Sequence, residues 1–320
     1  MRLNNLGEIG AIKKITQTLD IDSQKIIRGP GEDDCAVVRT NNEKLLFASD
    51  MLTRTRHLPK EMPYHNIGWT AVAVNLSDIA AMGGHPLFLT SSIGTPNITK
   101  EQLTQLTKGM NECSRKHDSY IVGGDLCQHR EIVINCSIIG KPTKNTLYRD
   151  GANPQEYLAV TGQVGTAGLA AKTITGKHKL PEKVRKKAFK QLFKPNPRIK
   201  EGQYISKNGG TSAIDVSDGL LHSTKQLSNA SKIGINIDSS KIPIDPEIKS
   251  SAKKNNIDIM ELIDIGGDYE ILFTTKKPNK IPENASIIGK TKEKQEVTID
   301  HQKIDTTGYD HFKPENPKEN

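Results

Sequence analysis

YHNIGWTAVAVNLSDIAAMGGHPLFLTSSI, residues 64–93, is the stretch that decides the fold. Small and apolar residues recur at helical spacing through its first part, which predicts a helix over 64–82. Gly83, Gly84 and Pro86 end that helix, and 87–93 reads as a buried strand. On the helix, Asn75 and Asp78 are three residues apart and share a face. One Asp in such a place is explained by a hydrogen bond inside a helix bundle, so its meaning depends on the rest of the chain.

Strands alternate with helices on both sides of this unit. The segment 45–48 reads as a short strand that delivers Ser49 and Asp50 at its end, and 99–117 as an amphipathic helix with Thr99 as N-cap. A strand over 120–122 feeds the turn Gly123-Gly124-Asp125, and 132–139 is a further strand. The polar, turn-rich segment PTKNTLYRDGANPQ (142–155) marks a change of character. Beyond it, strands are expected over 157–161, 213–216 and 269–275, with a helix from about Gly219. The pattern is α/β in both halves, giving two mixed α/β domains over 1–146 and 147–320.

Acidic and glycine-rich clusters punctuate the ends of the hydrophobic runs. They are GPGEDDCAV (29–37), SDML (49–52), GGD (123–125), DVSDG (215–219) and GGDYE (266–270), besides VNLSDIAAMGG (74–84). Asp33, Asp34, Asp50, Asp78, Asp125, Asp215 and Asp218 are more carboxylates than one magnesium ion needs, which points to several ions around a polyphosphate. Glycines let backbone amides approach phosphate oxygens. A P-loop is excluded, because Gly289-Lys290-Thr291 has Asn284 where the first glycine belongs. The glycines Gly162, Gly165 and Gly168 lack dinucleotide-fold spacing, and no protein-kinase motif set is present.

Composition removes other classes. The net charge is +8, concentrated in the basic run 177–200, where Lys and Arg flank an apolar stripe of Val184, Ala188, Leu192 and Phe193. That reads as a solvated helix face rather than a nucleic-acid surface, since no aromatic residues interleave as stacking platforms. The most apolar region, 69–89, contains Asn75, Asp78 and His85, so no membrane span is expected. Cys35, Cys113, Cys127 and Cys136 show no CxxC spacing, and the N-terminus has no secretory pattern; a reduced, cytoplasmic compartment is expected.

Taken jointly, VNLSDIAAMGG with Pro86, GEDDCAV, RDGANP (149–154), SDGL (217–220), GGDYEILFT (266–274) and GYDHF (308–312) resemble the thiamine-monophosphate kinase family. That family lies within the superfamily of aminoimidazole-ribonucleotide synthetase and selenophosphate synthetase. The resemblance implies ATP-dependent phosphorylation of thiamine monophosphate by direct in-line transfer, assisted by several Mg2+ ions. It implies a homodimer formed through the N-terminal sheet and an active site in the cleft between domains. It implies Asp33, Asp34, Ser49, Asp50, Asp78, Asp125, Asp215 and Asp218 as metal ligands, and Gly124, Arg149 and Ser217 on the ATP side. His57, Asp268 and Tyr309 fall on the substrate side, and no residue is assigned as a general base. The chain departs from the family in carrying Leu126 where Thr often follows GGD, and Arg54 and Arg56 near His57. The alternative is another ATP-dependent enzyme of the superfamily, a cyclo-ligase or a hydrogenase-maturation dehydratase.

Overall fold

In the computed structural model, residues 3–41, 43–176 and 178–304 are described, and their strands form two sheets. The first sheet contains β1 (Ile26–Arg28), β2 (Ala36–Thr40), β3 (Glu43–Thr53), β4 (Gly84–Thr95), β5 (Tyr120–Gln128) and β6 (Val133–Pro142), in the order β1-β2-β3-β6-β4-β5. Only β4 and β5 run parallel there. The second contains β7 (Tyr157–Thr161), β8 (Gly210–Asp215), β9 (Gly234–Ile237), β10 (Ile271–Thr275), β11 (Ala285–Lys292), β12 (Val297–Ile299) and β13 (Gln302–Lys303). Its order is β13-β12-β9-β11-β7-β10-β8, with β9 and β12 parallel. The helices are α1 (Gly7–Thr16), α2 (Tyr64–Ala81), α3 (Lys100–Lys116), α4 (Thr166–Gly176), α5 (Glu182–Phe193), α6 (Ile199–Asn208), α7 (Leu220–Ser231), α8 (Pro246–Lys254) and α9 (Ile259–Asp264). The chain is therefore mixed α/β, with helices against two sheets.

Helix α2 holds the two halves together. All its residues except Tyr64, His65, Asn66 and Asp78 are buried, as expected of a helix that is apolar or small all round. On one side it meets α3 at backbone contact: a Cβ on Gly68 would lie 1.9 Å from the Leu106 carbonyl oxygen. On another it meets α6, where a Cβ on Gly202 would lie 2.0 Å from the Ala80 carbonyl oxygen. The segment after α5 is tied to the same helix. The Trp69 indole donates to the Pro195 carbonyl (2.7 Å), and Asn66 and Thr70 donate to that of Phe193 (3.1 and 3.2 Å).

Two strands run longer than their sequence suggests. β3 continues through Ser49 and Asp50 to Thr53, because β6 pairs with it from Leu46↔Gly140 to Thr53↔Val133. Asp50 is thus a mid-strand residue opposite Cys136, not the end of a strand. Likewise Gly123-Gly124-Asp125 is not a turn. It lies inside β5, paired with β4 as Thr90↔Gly123, Ser91↔Gly124 and Ser92↔Asp125. A Cβ on Gly124 would lie 1.9 Å from the Ser91 carbonyl oxygen, so this glycine serves a close approach between strands.

The basic run resolves into α5, which buries Val184, Ala188 and Phe193. Three of its lysines are paired: Lys183 with Glu247 and Lys186 with Glu182 (both 2.6 Å), and Lys187 with Asp245. Lys194 lies 4.1 Å from the centre of the Trp69 ring. One face of the first sheet is apolar and open instead. Phe47, Met51, Phe88 and Tyr120 are exposed there.

Candidate active site

Three segments far apart in sequence bring carboxylates together. The loop between β1 and β2 ends in the fully buried Cys35, which anchors Asp33 and Asp34 just before it. Asp78 is the one interior position of α2 that is not sealed, and Asp215 is the last residue of β8. Carboxylate oxygens of Asp34, Asp78 and Asp215 all lie within 4.8 Å of one another. Two of the segments belong to the first half of the chain and one to the second, and the α2 seam sets their separation.

The surroundings fix each carboxylate in place. Asp215 accepts from the Ser77 hydroxyl (2.8 Å) on one oxygen and from the Ser217 hydroxyl (3.0 Å) on the other. Arg149 binds the acidic loop: its guanidinium pairs with Asp34, and its backbone N–H donates to Asp33 (3.2 Å). The same guanidinium donates to Gln226 (2.9 Å). Asp50 is held by its backbone, whose N–H donates to the Asn75 side-chain oxygen (3.1 Å). By strand alternation the Asp50 side chain shares the face of Leu46, Ala48 and Leu52, which are buried.

Electrostatics follow from this crowding. Burial, reinforced by Asp34, pushes Asp33 up to about 7 despite Arg149. Burial and then Asp34 push Asp215 up to about 7 as well, against the two serine hydrogen bonds. Asp78 is raised well above the carboxylate range by burial, then by Asp50, Asp215 and Asp34. Arg149 is raised: burial works against its charge but is outweighed by Asp34. Such a cluster must either hold protons or hold a cation. Asp34 makes the case for a cation, because its Oδ2 is buried with no hydrogen-bond partner. The donor set is oxygen only, which suits magnesium, calcium or manganese rather than zinc.

The remaining residues singled out by sequence divide. Asp33, Asp34, Asp50, Asp78, Asp215 and Asp218 gather around this point; Asp218 acts electrostatically on Asp215. Ser49 and Asp125 are exposed on the outer face of the first sheet. There Asn135 donates to Ser49 (3.0 Å), and Ser49 and Ser137 share a hydrogen bond of 2.9 Å. Ser217 touches Asp215, whereas Gly124 lies in β5 against β4. His57 follows β3, and its Nδ1 accepts the Thr53 backbone N–H (3.0 Å). Asp268 is buried and accepts the backbone N–H groups of Gly165 (2.6 Å) and Ala167 (2.9 Å), so it caps the start of α4. Tyr309 lies outside the described residues. Sequence reasoning missed Ser77 and Gln226. For Ser77 the available signal was a hydroxyl next to Asp78 on an otherwise apolar helix.

An open groove of about 490 Å³, lined by Glu43, Lys44, Lys141, Lys144 and Tyr148, begins at the other end of β3 from Asp50.

Comparison with known proteins identifies the family and the fold. The description "AIR synthase related protein, N-terminal domain" matches residues 32–141, and "AIR synthase related protein, C-terminal domain" matches residues 154–302. The chain is 34% identical to the thiamine-monophosphate kinase of Pyrococcus horikoshii, over 88% of this chain and 90% of that protein. It is 32% identical to the thiamine-monophosphate kinase of Methanospirillum hungatei, over 87% of this chain and 92% of that one. The solved structure of AaThiL complexed with AMPPCP and TMP superposes with a TM-score of 0.89 at 27% identity, covering 97% of this chain and 99% of the other.

Proposed function

From the premise that this chain belongs to the thiamine-monophosphate kinase family, we propose that it transfers the γ-phosphoryl group of ATP to thiamine monophosphate, yielding thiamine diphosphate and ADP. The observation that carries the reading is the convergence of Asp34, Asp78 and Asp215 within 4.8 Å, with one Asp34 oxygen left unpartnered in a buried site. Asp34, Asp78 and Asp215, supported by Asp33, Asp50 and Asp218, would hold Mg2+. When bound, magnesium offsets the negative charge of the phosphates and of these carboxylates.

The residues themselves divide the remaining work. Ser77 and Ser217 orient the Asp215 carboxylate, and Asn75 fixes the backbone at Asp50. Arg149 holds the Asp33-Asp34 loop against the second half, and with Ser217 and Gly124 it stands on the ATP side of the reading. Ser49 and Asp125 stand apart from the cluster and from each other on the outer face, three strands apart in the sheet, and His57, Asp268 and Tyr309 are assigned to the acceptor side from the resemblance. A phosphate monoester has a second pKa of about 6, so at neutral pH the acceptor arrives largely as a dianion. It needs alignment and charge screening rather than proton removal, and no residue is assigned as a base.

The same reading covers assembly and place. Two domains, 1–146 and 147–320, enclose the site in the cleft between them. The exposed apolar face of the first sheet, with Met51 and Phe88 among its residues, supports a homodimer through that sheet. No described helix is long and apolar enough to cross a membrane. The proposed compartment is the cytoplasm, with ATP and thiamine monophosphate as partners and no nucleic acid.

The test incubates the purified protein with ATP, Mg2+ and thiamine monophosphate and separates the products. Thiamine diphosphate and ADP should form in equal amounts. ATP turnover that leaves thiamine monophosphate unchanged would favour a cyclo-ligase or dehydratase of the same superfamily.

A further inference from the structure

Tyr269 stands between two carboxylates that are already committed. On one side Asp268 caps α4, and its carbonyl oxygen accepts from the Gln191 side chain (2.9 Å). On the other, Glu270 is buried and takes Arg198 through two nitrogens (2.6 and 2.5 Å) and the Thr161 hydroxyl (2.6 Å). The Tyr269 N–H donates to the Val216 carbonyl (3.0 Å), and the Val216 N–H donates to that of Glu270 (2.8 Å). Held from both sides, Tyr269 has a φ of +51°, in the left-handed region where a bulky side chain is an outlier.

Just before β10, the ring packs against the core cluster that α2 shares with residues of both halves, and the backbone pairing with Val216 sets it one residue from Asp215. Its phenol feels Asp215, Asp50, Asp218 and Asp78; burial first, then these charges, raise it well above the ordinary tyrosine value. A phenol in any case keeps its proton at neutral pH and can donate it to a hydrogen bond. Among the described residues it has no hydrogen-bond partner. Most other donors at the site are spent: Ser77 and Ser217 on Asp215, and Arg149 on Asp34 and Gln226, which leaves only its Nε, itself buried and without a hydrogen-bond partner among the described residues. Phosphate oxygens brought into a wall of carboxylates need donors.

We infer that Tyr269 is a substrate-contacting residue of this site, its phenol donating a hydrogen bond to an oxygen of the phosphates gathered there. The inference rests on the kinase reading.

The experiment compares wild type with Tyr269→Phe, using ATP, Mg2+ and thiamine monophosphate, with thermal midpoints measured in parallel. A hydrogen bond to a charged group predicts a fall in kcat of about tenfold to a hundredfold. The midpoint should move by less than about 2 °C, since the ring is retained. An active wild type with a Phe variant within about twofold of it overturns the inference alone. A wild type that makes no thiamine diphosphate overturns the kinase reading and this contact with it. If the Phe variant melts early, Tyr269→His is set against Tyr269→Leu. Only the former keeps a donor, and equal losses in both reject the contact.

Discussion

Replacing Asp215 by Asn should make the metal-free protein more stable and the enzyme far slower. Asp215 is buried within 4.8 Å of Asp34 and Asp78, and it is pushed up to about 7 from an ordinary 3.8. Its folded pKa lies above its unfolded one, so the folded state holds a proton that the unfolded state has released. The stability this confers is complete below pH 3.8 and is lost as pH rises to about 7. The gap corresponds to about 4 kcal/mol above pH 7. Asn carries no charge and escapes that loss, although its amide fits Ser77 and Ser217 less well, which leaves a gain of about 2 kcal/mol. Thermal unfolding in chelator should show the variant melting above wild type at pH 8, with the difference closing towards pH 4. Saturating Mg2+ should reverse the order, because only wild type gains the full linkage to the ion. Turnover should fall on the order of 10²-fold or more. A variant no more stable than wild type at pH 8 in chelator, or one with near-normal turnover at limiting Mg2+, would refute the reasoning.

Other expectations follow from the same contacts. Thiamine should be at least about a hundredfold worse than thiamine monophosphate in kcat/KM, because its hydroxyl arrives with its proton and no base is assigned; comparable values would reject the acceptor argument. Gly202→Ala places a Cβ 2.0 Å from the Ala80 carbonyl oxygen and should destabilise the seam between the halves by about 1–3 kcal/mol, read by denaturant midpoint. Phe88→Asp puts a charge on the open apolar face of the first sheet, so sedimentation should show a dimeric wild type and a more dissociated variant. A monomeric wild type at micromolar concentration would sink the dimer.

What the sequence disclosed and what it hid divide along a physical line. The identities of Asp34, Asp78 and Asp215 were legible because carboxylates next to glycine or on an apolar helix are costly unless they serve a purpose. The α2 helix was legible from its period. The environment of Asp50 was not, because a strand's end is fixed by its partner: β6 pairs on to Thr53, and nothing local to SDML announces that. Gly123-Gly124 looked like a turn because glycine is compatible with turns and with tight strand contact alike, and only the Ser91 carbonyl oxygen distinguishes them. Asp268 was legible as an acid in a glycine-rich cluster but not as a cap, since the amides it accepts, on Gly165 and Ala167, lie about a hundred residues earlier.

The site and the fold also constrain each other. Three carboxylates held within 4.8 Å repel when ionised, and the repulsion is relieved most cheaply by letting the halves part. The contacts opposing that separation are concentrated on α2, which itself carries Asp78. Gly202 lets α6 press on Ala80, Trp69 holds Pro195, and Ser77 reaches across to Asp215. The helix that bears one carboxylate is thus clamped to the half that bears another. The strain of gathering charge is then carried by packing set before any ligand arrives, which is the condition for electrostatic stabilisation without reorganisation during the reaction. It also explains why α2 is buried on every side: a helix exposed along one face could make the Asp34 contact or the Asp215 contact, but would lack the second wall that fixes both.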